Sequence, residues 1–304
     1  MDFYVTSKEA TQASQGDDSS MSTKTAQSTV TCMYQIYLGG HWRTVTAVWN
    51  KNMMNHSLNI FVDSIESNHR HHCRIDLAPW HFWGKKSYKT FEVDGLQVDV
   101  YWDLRSARFS GSPEPYSDFY VAMICEEEVG LLIGDMESKV YKRTKSHPCA
   151  ADAHMFFKKE HVIGKKSFTT KVKFEKHRKD YDILVESSTS GANDPEMCIT
   201  IDGVVQIHIT NLQWKFRGNQ TVLVHKQPIE VFWDVHAWLF LSPGSNHGSF
   251  SFKPGQTKSE SDKEDDSQDG TKENNDSSIS KHHSPCISSS TTHCCLFLYA
   301  WKIE

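Results

Sequence analysis

Apolar and polar side chains alternate along most of the chain between residues 30 and 254. Every second residue is apolar in LQVDVYWD (96–103), and PIEVFWDV (228–235) repeats the pattern. Period-two alternation is typical of an antiparallel strand with one buried and one solvated face. Two such runs flank Asp94-Gly95, and two more flank Asp202-Gly203. Asp-Gly favours the type I′ turn of a β-hairpin, so both sites are predicted to be hairpin turns.

These patterns predict an all-β protein, a large antiparallel β-sandwich or flattened barrel with more than ten strands. One short helix is expected at DMESKVYKRTK (135–145), the one stretch with convincing helical character. The predicted all-β body spans residues 30–254.

Two segments have few large apolar side chains and cannot offset the entropy of ordering. Residues 1–29 are predicted to be a disordered N-terminal segment, and residues 255–292 a disordered acidic, Ser-rich loop. The sequence then becomes apolar and aromatic again in HCCLFLYAWKIE (293–304). These last residues are therefore predicted to return to the β body as a C-terminal strand.

One sequence unit occurs twice. WHFWGKKSYKTFEVDGLQVDVYWD (80–103) and WKFRGNQTVLVHKQPIEVFWD (214–234) both begin with Trp-x-Phe-x-Gly and end with Trp-Asp. A second echo links GKKSYKTFEV (84–93) with GKKSFTTKVKF (164–174). The echoes are not separated by one constant distance. They leave open whether the fold consists of two similar halves or reuses one hairpin pattern in a single assembly.

The net charge of −5 comes from one part of the chain. Residues 256–278 contain eight acidic residues and three lysines, which accounts for the whole excess. The balanced remainder argues against a nucleic-acid partner, since phosphate binding requires clustered Lys and Arg. The eight cysteines are mostly scattered and no signal peptide pattern is found, so an intracellular protein, cytoplasmic or nuclear and not secreted, is expected. No apolar run reaches the roughly 20 residues of a membrane-spanning helix, so no integral membrane segment is predicted.

Several longer motifs resemble one plant family. They include VYWDLRSARFSGSPEPYSDFYVAM (100–123), DPEMCITIDG (194–203) and NLQWKFRGNQTVLVHKQPIEVFWDVHAWLF (211–240). These segments are similar to the family known as domain of unknown function 868, and the resemblance covers residues 30 to the C-terminus apart from the acidic loop. It implies a plant source and no assigned activity, ligand or catalytic residue.

Two groups of residues mimic known cofactor motifs. Gly-Lys-Lys-Ser occurs at 84–87 and 164–167, but the first glycine of a P-loop is absent from both sites. The histidine-rich segments HRHHC (69–73), HHSPC (282–286) and HCC (293–295) lack the ligand spacing of a zinc site. No cofactor and no metal are therefore expected.

Several tryptophans stand near carboxylates, a combination that suits a sugar-binding platform because aromatic faces stack on pyranose rings. Alternation places two of these tryptophans on the apolar strand face, which favours a core role instead. The candidate ligand-binding residues are Trp80, Trp102, Asp103, Trp214, Trp233 and Asp234.

The sequence does not define a function. No nucleophile elbow, metalloprotease pair, dinucleotide fingerprint or kinase motif set is present, so no catalytic residue is predicted. A non-enzymatic binding or scaffold module with a protein partner is the favoured interpretation. The alternatives are a small-ligand or carbohydrate-binding, lectin-like β-barrel and, third, a hydrolase.

The acidic segment suggests phosphorylation. Thr257, Ser259 and Ser261 each have an acidic residue three positions later, the pattern that acidophilic kinases recognise. Phosphates there would add about −1.5 to −2 charges per site to an acidic stretch. An unmodified spacer is the competing interpretation.

Overall fold

A computed structural model describes residues 28–52, 55–66, 68–77, 82–175, 179–188, 194–255 and 293–303. These residues form eighteen strands and two short α-helices. The strands, in chain order, are β1 (Ser28–Leu38), β2 (His41–Lys51), β3 (His56–Asp63), β4 (Arg70–Leu77), β5 (Lys86–Val93), β6 (Leu96–Asp103), β7 (Tyr120–Cys125), β8 (Glu128–Gly134), β9 (His147–Pro148), β10 (His154–Gly164), β11 (Ser167–Val172), β12 (Tyr181–Ser188), β13 (Glu196–Ile201), β14 (Val204–Ile209), β15 (Arg217–Val224), β16 (Gln227–Asp234), β17 (His247–Pro254) and β18 (Cys295–Lys302).

The helices are α1 (Glu137–Thr144) and α2 (His236–Phe240), and a 3₁₀ turn covers Phe82–Lys85. The all-β prediction is confirmed, and α1 lies in the predicted helical stretch. The five-residue helix α2 is an addition, because so short a turn leaves almost no periodic signal. Neither helix is long and apolar enough to cross a membrane.

The strands form three sheets, none of them closed into a barrel. The largest has nine strands in the order β15-β16-β17-β18-β10-β1-β2-β3-β4. A five-stranded sheet has the order β5-β6-β7-β8-β9, and a four-stranded sheet the order β11-β12-β13-β14. All neighbours are antiparallel except two parallel pairs, β10 with β18 and β8 with β9.

Both smaller sheets cover the same face of the nine-stranded sheet. The five-stranded sheet packs on the half that contains β1 to β4, around Trp49 and Val100. The four-stranded sheet packs on the half that contains β15 to β18, around Phe168 and Phe252. The fold is therefore a sandwich with two cores side by side under one continuous sheet. The opposite face of the nine-stranded sheet is covered by neither smaller sheet.

The Gly-Lys-Lys-Ser segments mark corners of the sandwich. At residues 84–87 the chain leaves β4 of the nine-stranded sheet and enters β5, and at residues 164–167 it leaves β10 and enters β11. Each segment thus leads into a strand. A P-loop would require a helix N-terminus at this point.

The repeated sequence unit forms two equivalent hairpins, β5-β6 and β15-β16. Both turn through two residues with left-handed backbone angles: Asp94 (φ 48°) and Gly95 (φ 79°) in the first, His225 (φ 50°) and Lys226 (φ 67°) in the second. The predicted Asp94-Gly95 turn is confirmed. The second turn has no Asp-Gly signature and was not predicted from the sequence.

The final Trp-Asp of each hairpin makes the same contacts. Trp102 Nε1 donates to the Gly84 carbonyl oxygen at 2.8 Å, and Trp233 Nε1 donates to the Lys215 carbonyl oxygen at 3.1 Å. The aspartates are paired with cations: Asp103 lies 2.9 Å from Arg105 Nη2 and 3.6 Å from Lys86 Nζ, and Asp234 lies 2.7 Å from Arg217 Nη2. The repeat is therefore architectural, because it fastens the end of each hairpin to the segment that enters it.

We expect Trp102→Phe and Trp233→Phe each to lower the free energy of unfolding by about 1–3 kcal/mol. Phenylalanine keeps an aromatic ring in the core, but it is smaller than tryptophan and lacks the indole donor of a partly buried hydrogen bond. Denaturant titration followed by circular dichroism would measure the loss. Trp42→Phe is the matched control, because the Trp42 side chain is 52% exposed and should tolerate the change. Equal stability of all three variants would contradict the proposed role of the indole donors.

Candidate functional site

The five candidate ligand-binding residues within the described ranges do not converge on one site. Trp102 and Asp103 are buried in the five-stranded sheet, whereas Trp233 and Asp234 lie near one edge of the nine-stranded sheet. Trp214 is 82% exposed in the turn before β15. Trp80 lies outside the described residues, so ligand binding by the set stays a prediction.

Thr257, Ser259 and Ser261 also lie outside the described residues, and their phosphorylation stays a prediction. The same holds for the histidines of HHSPC (282–286). Across the described ranges, no group of three or more His, Cys, Asp or Glu side chains is arranged to hold a metal ion.

The face of the nine-stranded sheet that neither smaller sheet covers contains an aromatic and imidazole cluster at β10, β18 and β17. Buried residues alternate with half-buried ones along these strands, and the half-buried set points away from the core. We define the central face as these outward residues: Phe157, Lys159, His161, Ile163, His247, Ser249, Ser251, Lys253, Phe297, Tyr299 and Trp301.

Two histidines flank the aromatic residues of β18. The His161 ring lies 5.5 Å from the Tyr299 ring and 5.2 Å from the Trp301 ring, measured between centroids. The His247 ring approaches the same two rings at 4.7 and 4.6 Å. Pairing of β18 with β10 and β17 brings these histidines together although they are far apart in the sequence.

Lysines supply the positive charge of the central face. Lys159 Nζ lies 4.6 Å from the centroid of the Tyr299 ring, and Lys253 Nζ lies 6.0 Å from that of Phe297. Both distances fall in the range of a cation–π contact. The central face contains no carboxylate, since Glu160 on β10 points into the core.

Burial and the charge of Lys159 lower the pKa values of His161 and His247. Both imidazoles are therefore neutral at neutral pH and can each donate one hydrogen bond and accept another. The arrangement offers flat apolar rings, two adaptable imidazoles and two cations on one surface.

A polar depression of about 460 Å³ lies on β2, β3, β4 and the turn between β2 and β3. Its lining includes Asn50, Asn59, Arg74 and Asp76. The Arg74 Nε donates to Asp76 Oδ1 at 2.8 Å, which keeps both side chains at the surface. Thr29 on β1 donates to Asn50 Oδ1 at 3.3 Å, so hydrogen-bonding groups extend from the central face toward this depression.

The inward side of β10 contains a buried ion cluster. The Lys158 ammonium contacts Glu160 Oε1 at 2.8 Å and Glu114 Oε2 at 3.0 Å, and it donates to the Lys171 carbonyl oxygen at 2.8 Å. Burial alone would lower the pKa of Lys158, but the two carboxylates outweigh it and hold the pKa well above its usual value. Because all three N–H donors are engaged and the amine is charged, Lys158 is unsuited to act as a nucleophile.

The neighbouring thiols are also unreactive. Burial, the largest cause, raises the pKa of Cys294 to about 12 and that of Cys32 well above its usual value. A thiol needs a lowered pKa to act as a nucleophile. This cluster therefore connects elements of the fold and gives no support to a hydrolase.

Few local sequence patterns indicate the central face. His161 and Lys159 stand in HMFFKKEHVIG (154–164), in which four consecutive polar residues interrupt the apolar pattern. Alternation in LFLYAW (296–301) does indicate an aromatic strand face, since Phe297, Tyr299 and Trp301 occupy every second position. Only the order of strands in the sheet, however, places His247 beside them.

The comparisons with known proteins agree with the resemblance of the sequence motifs. No curated protein and no solved structure matches the chain. A family model, described as a plant protein of unknown function (DUF868), matches residues 25–302. The chain therefore belongs to this plant family of unknown function.

Proposed function

We propose that the protein is a non-enzymatic binding module that docks an acidic segment of a partner protein on the central face. The observation that carries this proposal is a sheet surface that neither smaller sheet covers, with three large aromatic side chains of β18 between Lys159 and Lys253. An intracellular setting is part of the proposal. It is supported by the free thiols of the seven cysteines within the described ranges.

The composition of the central face suits a protein partner. Cores of protein interfaces are enriched in Tyr, Trp, Phe and Met and depleted in Asp and Glu. Phe297, Tyr299 and Trp301 follow this pattern, and Met33 extends it onto β1, where it is paired with Phe157.

The outer face of the nine-stranded sheet is also large enough for a protein interface. Nine strands about 4.8 Å apart, each about eight residues long, present a face on the order of 1,000 Å². A standard protein interface buries about 800 Å² on each partner. The outer face therefore accommodates a stable complex without any contribution from the smaller sheets.

The positive charge of the central face determines which class of partner it favours. Lys159 and Lys253 attract carboxylates, whereas a basic segment would meet repulsion and find no acid within the central face. On the next strand, Asp234 is engaged by Arg217 and the exposed Glu230 lies opposite Lys253, which leaves Lys159 as the cation farther from any of these acids. An acidic segment is thus favoured over a basic or purely apolar one.

A site-specific cross-linker tests the proposal. With p-benzoylphenylalanine in place of Phe297, we expect light-dependent cross-linking in plant extract to a partner whose linked peptide is acidic. The same cross-linker at Val204, which is 59% exposed on the four-stranded sheet, is the control position and should not capture that partner.

The identified partner is then purified and its affinity measured against two charge reversals. Lys159→Glu should weaken binding at least tenfold, because it places a carboxylate opposite the acidic segment. Lys142→Glu on the exposed surface of α1 is the matched control and should leave the affinity unchanged. Equal affinities would overturn the proposal. Cross-links from position 297 only to a second copy of the chain would also overturn it. So would binding of the protein to glycans on an array, if Trp301→Ala abolished that binding.

A further inference from the structure

We propose that His161, His247 and Lys159 form an oxyanion subsite within the central face, which receives one phosphoryl or carboxylate group of the bound segment. The inference rests on the proposed function and specifies which chemical group of the partner is recognised.

All three side chains contact the ring of Tyr299. His161 on β10 and His247 on β17 each lie one strand away from β18, so their two strands are about 10 Å apart. Both rings contact Tyr299 and Trp301, and Lys159 Nζ lies over the same Tyr299 ring. An anion bound to the Lys159 ammonium beside Tyr299 therefore lies close to both imidazoles.

The electrostatics couple anion binding to the uptake of a proton by the histidines. In the free protein, burial and then the Lys159 charge lower the pKa of both histidines, and the charge of His247 lowers the pKa of His161 further. A bound oxyanion offsets the Lys159 charge and favours the charged imidazolium. The pKa of each histidine should therefore rise on binding, and affinity should increase as the pH falls.

The other charged groups near the cluster do not compete for this role. On β17, Ser249 and Ser251 separate His247 from Lys253, which adds positive charge. On β16, Asp234 pairs with Arg217, and Glu230 lies opposite Lys253 in the sheet register. On β1, Thr29 lies opposite His161, and on β18 the ionisable neighbour is the Tyr299 phenol. No carboxylate of these strands contacts either imidazole within the described residues.

Sulfate is the first probe, because it remains a dianion between pH 5 and 8 and leaves any pH dependence to the protein. Histidine side-chain NMR of the full chain, assigned with His161→Gln and His247→Gln, should show saturable shifts of both rings with sulfate. Affinity should rise by up to about tenfold per pH unit on lowering the pH, if one proton is taken up. The His208 ring, which bonds Glu196 on the four-stranded sheet, is the internal control and should not respond.

Lys159→Gln should abolish most of the response to sulfate and raise the pKa of both histidines in the free protein. Acetate in a parallel titration distinguishes the two sources of the anion. A stronger response to sulfate identifies a phosphoryl-type ligand, and a stronger response to acetate identifies a carboxylate. The subsite is refuted if neither anion shifts the two rings, or if Lys159→Gln responds as the unsubstituted protein does. In that event, cross-linking at position 297 still decides the proposed function separately.

Discussion

Removal of residues 293–304 is expected to unfold the protein or leave it an aggregating partial fold. Strand β18 lies inside the nine-stranded sheet, antiparallel to β17 and parallel to β10. Its inward side chains Leu296, Leu298 and Ala300 have no solvent exposure. Loss of their burial costs on the order of 5 kcal/mol, and two neighbouring strands also lose their partners. This is comparable to the 5–15 kcal/mol that stabilises a typical domain.

Thermal melting of the truncated and full-length proteins would measure the effect. Truncation after Lys302 is the matched control, because it keeps all of β18 and removes the exposed Ile303. We propose that residues 30–254 and 293–304 unfold as one cooperative unit. A melting temperature of the 293–304 deletion within a degree or two of the control would contradict this proposal.

Local patterns account for what the sequence could predict. Alternation identified strands such as β6 and β16 because each has one buried face, and the Asp94-Gly95 turn was visible because positive φ angles favour Asp and Gly. The His225-Lys226 turn has the same backbone shape without those residues. There the pairing of the two strands, and not the local residue preference, determines the conformation.

Long-range contacts account for what could not be predicted. Asp94, chosen as a turn residue, also accepts hydrogen bonds from Ser64 Oγ at 2.6 Å and from the Ile65 backbone N–H at 3.1 Å, and it pairs with Arg43. The Ser64 bond and the Arg43 guanidinium hold the pKa of Asp94 well below its usual range. The turn is thereby fastened to the nine-stranded sheet, a role that no local pattern indicates.

In the candidate site, too, local patterns indicate some residues and long-range strand pairing determines the others. The aromatic positions of β18 follow from alternation, whereas the two histidines belong to strands that pair with β18 from distant parts of the sequence. The tryptophans that are candidates for ligand binding stand out in the sequence because they belong to a repeated unit. In the structure that unit fastens hairpins, and Trp102 and Trp233 are core residues.

Lys158→Ala is expected to lower the free energy of unfolding by about 3–5 kcal/mol. The substitution leaves Glu160, whose side chain is 4% exposed, and the partly covered Glu114 without their cation. Removal of one partner from a buried ion pair costs this much because the remaining charge is neither paired nor solvated. The Lys171 carbonyl oxygen on β11 also loses its donor.

Denaturant titration at pH 5.5 and pH 8 would test this interpretation of the ion cluster. The deficit of Lys158→Ala should be larger at pH 8, because protonation at lower pH relieves the unpaired carboxylates. The double substitution Lys158→Met with Glu160→Gln should recover much of the loss, since it removes charge from both sides. Lys159→Ala is the matched control: the adjacent side chain faces outward and its loss should cost less than about 1 kcal/mol. Equal costs at positions 158 and 159 would show that the buried ions do not connect the loop of Glu114, β10 and β11 as inferred.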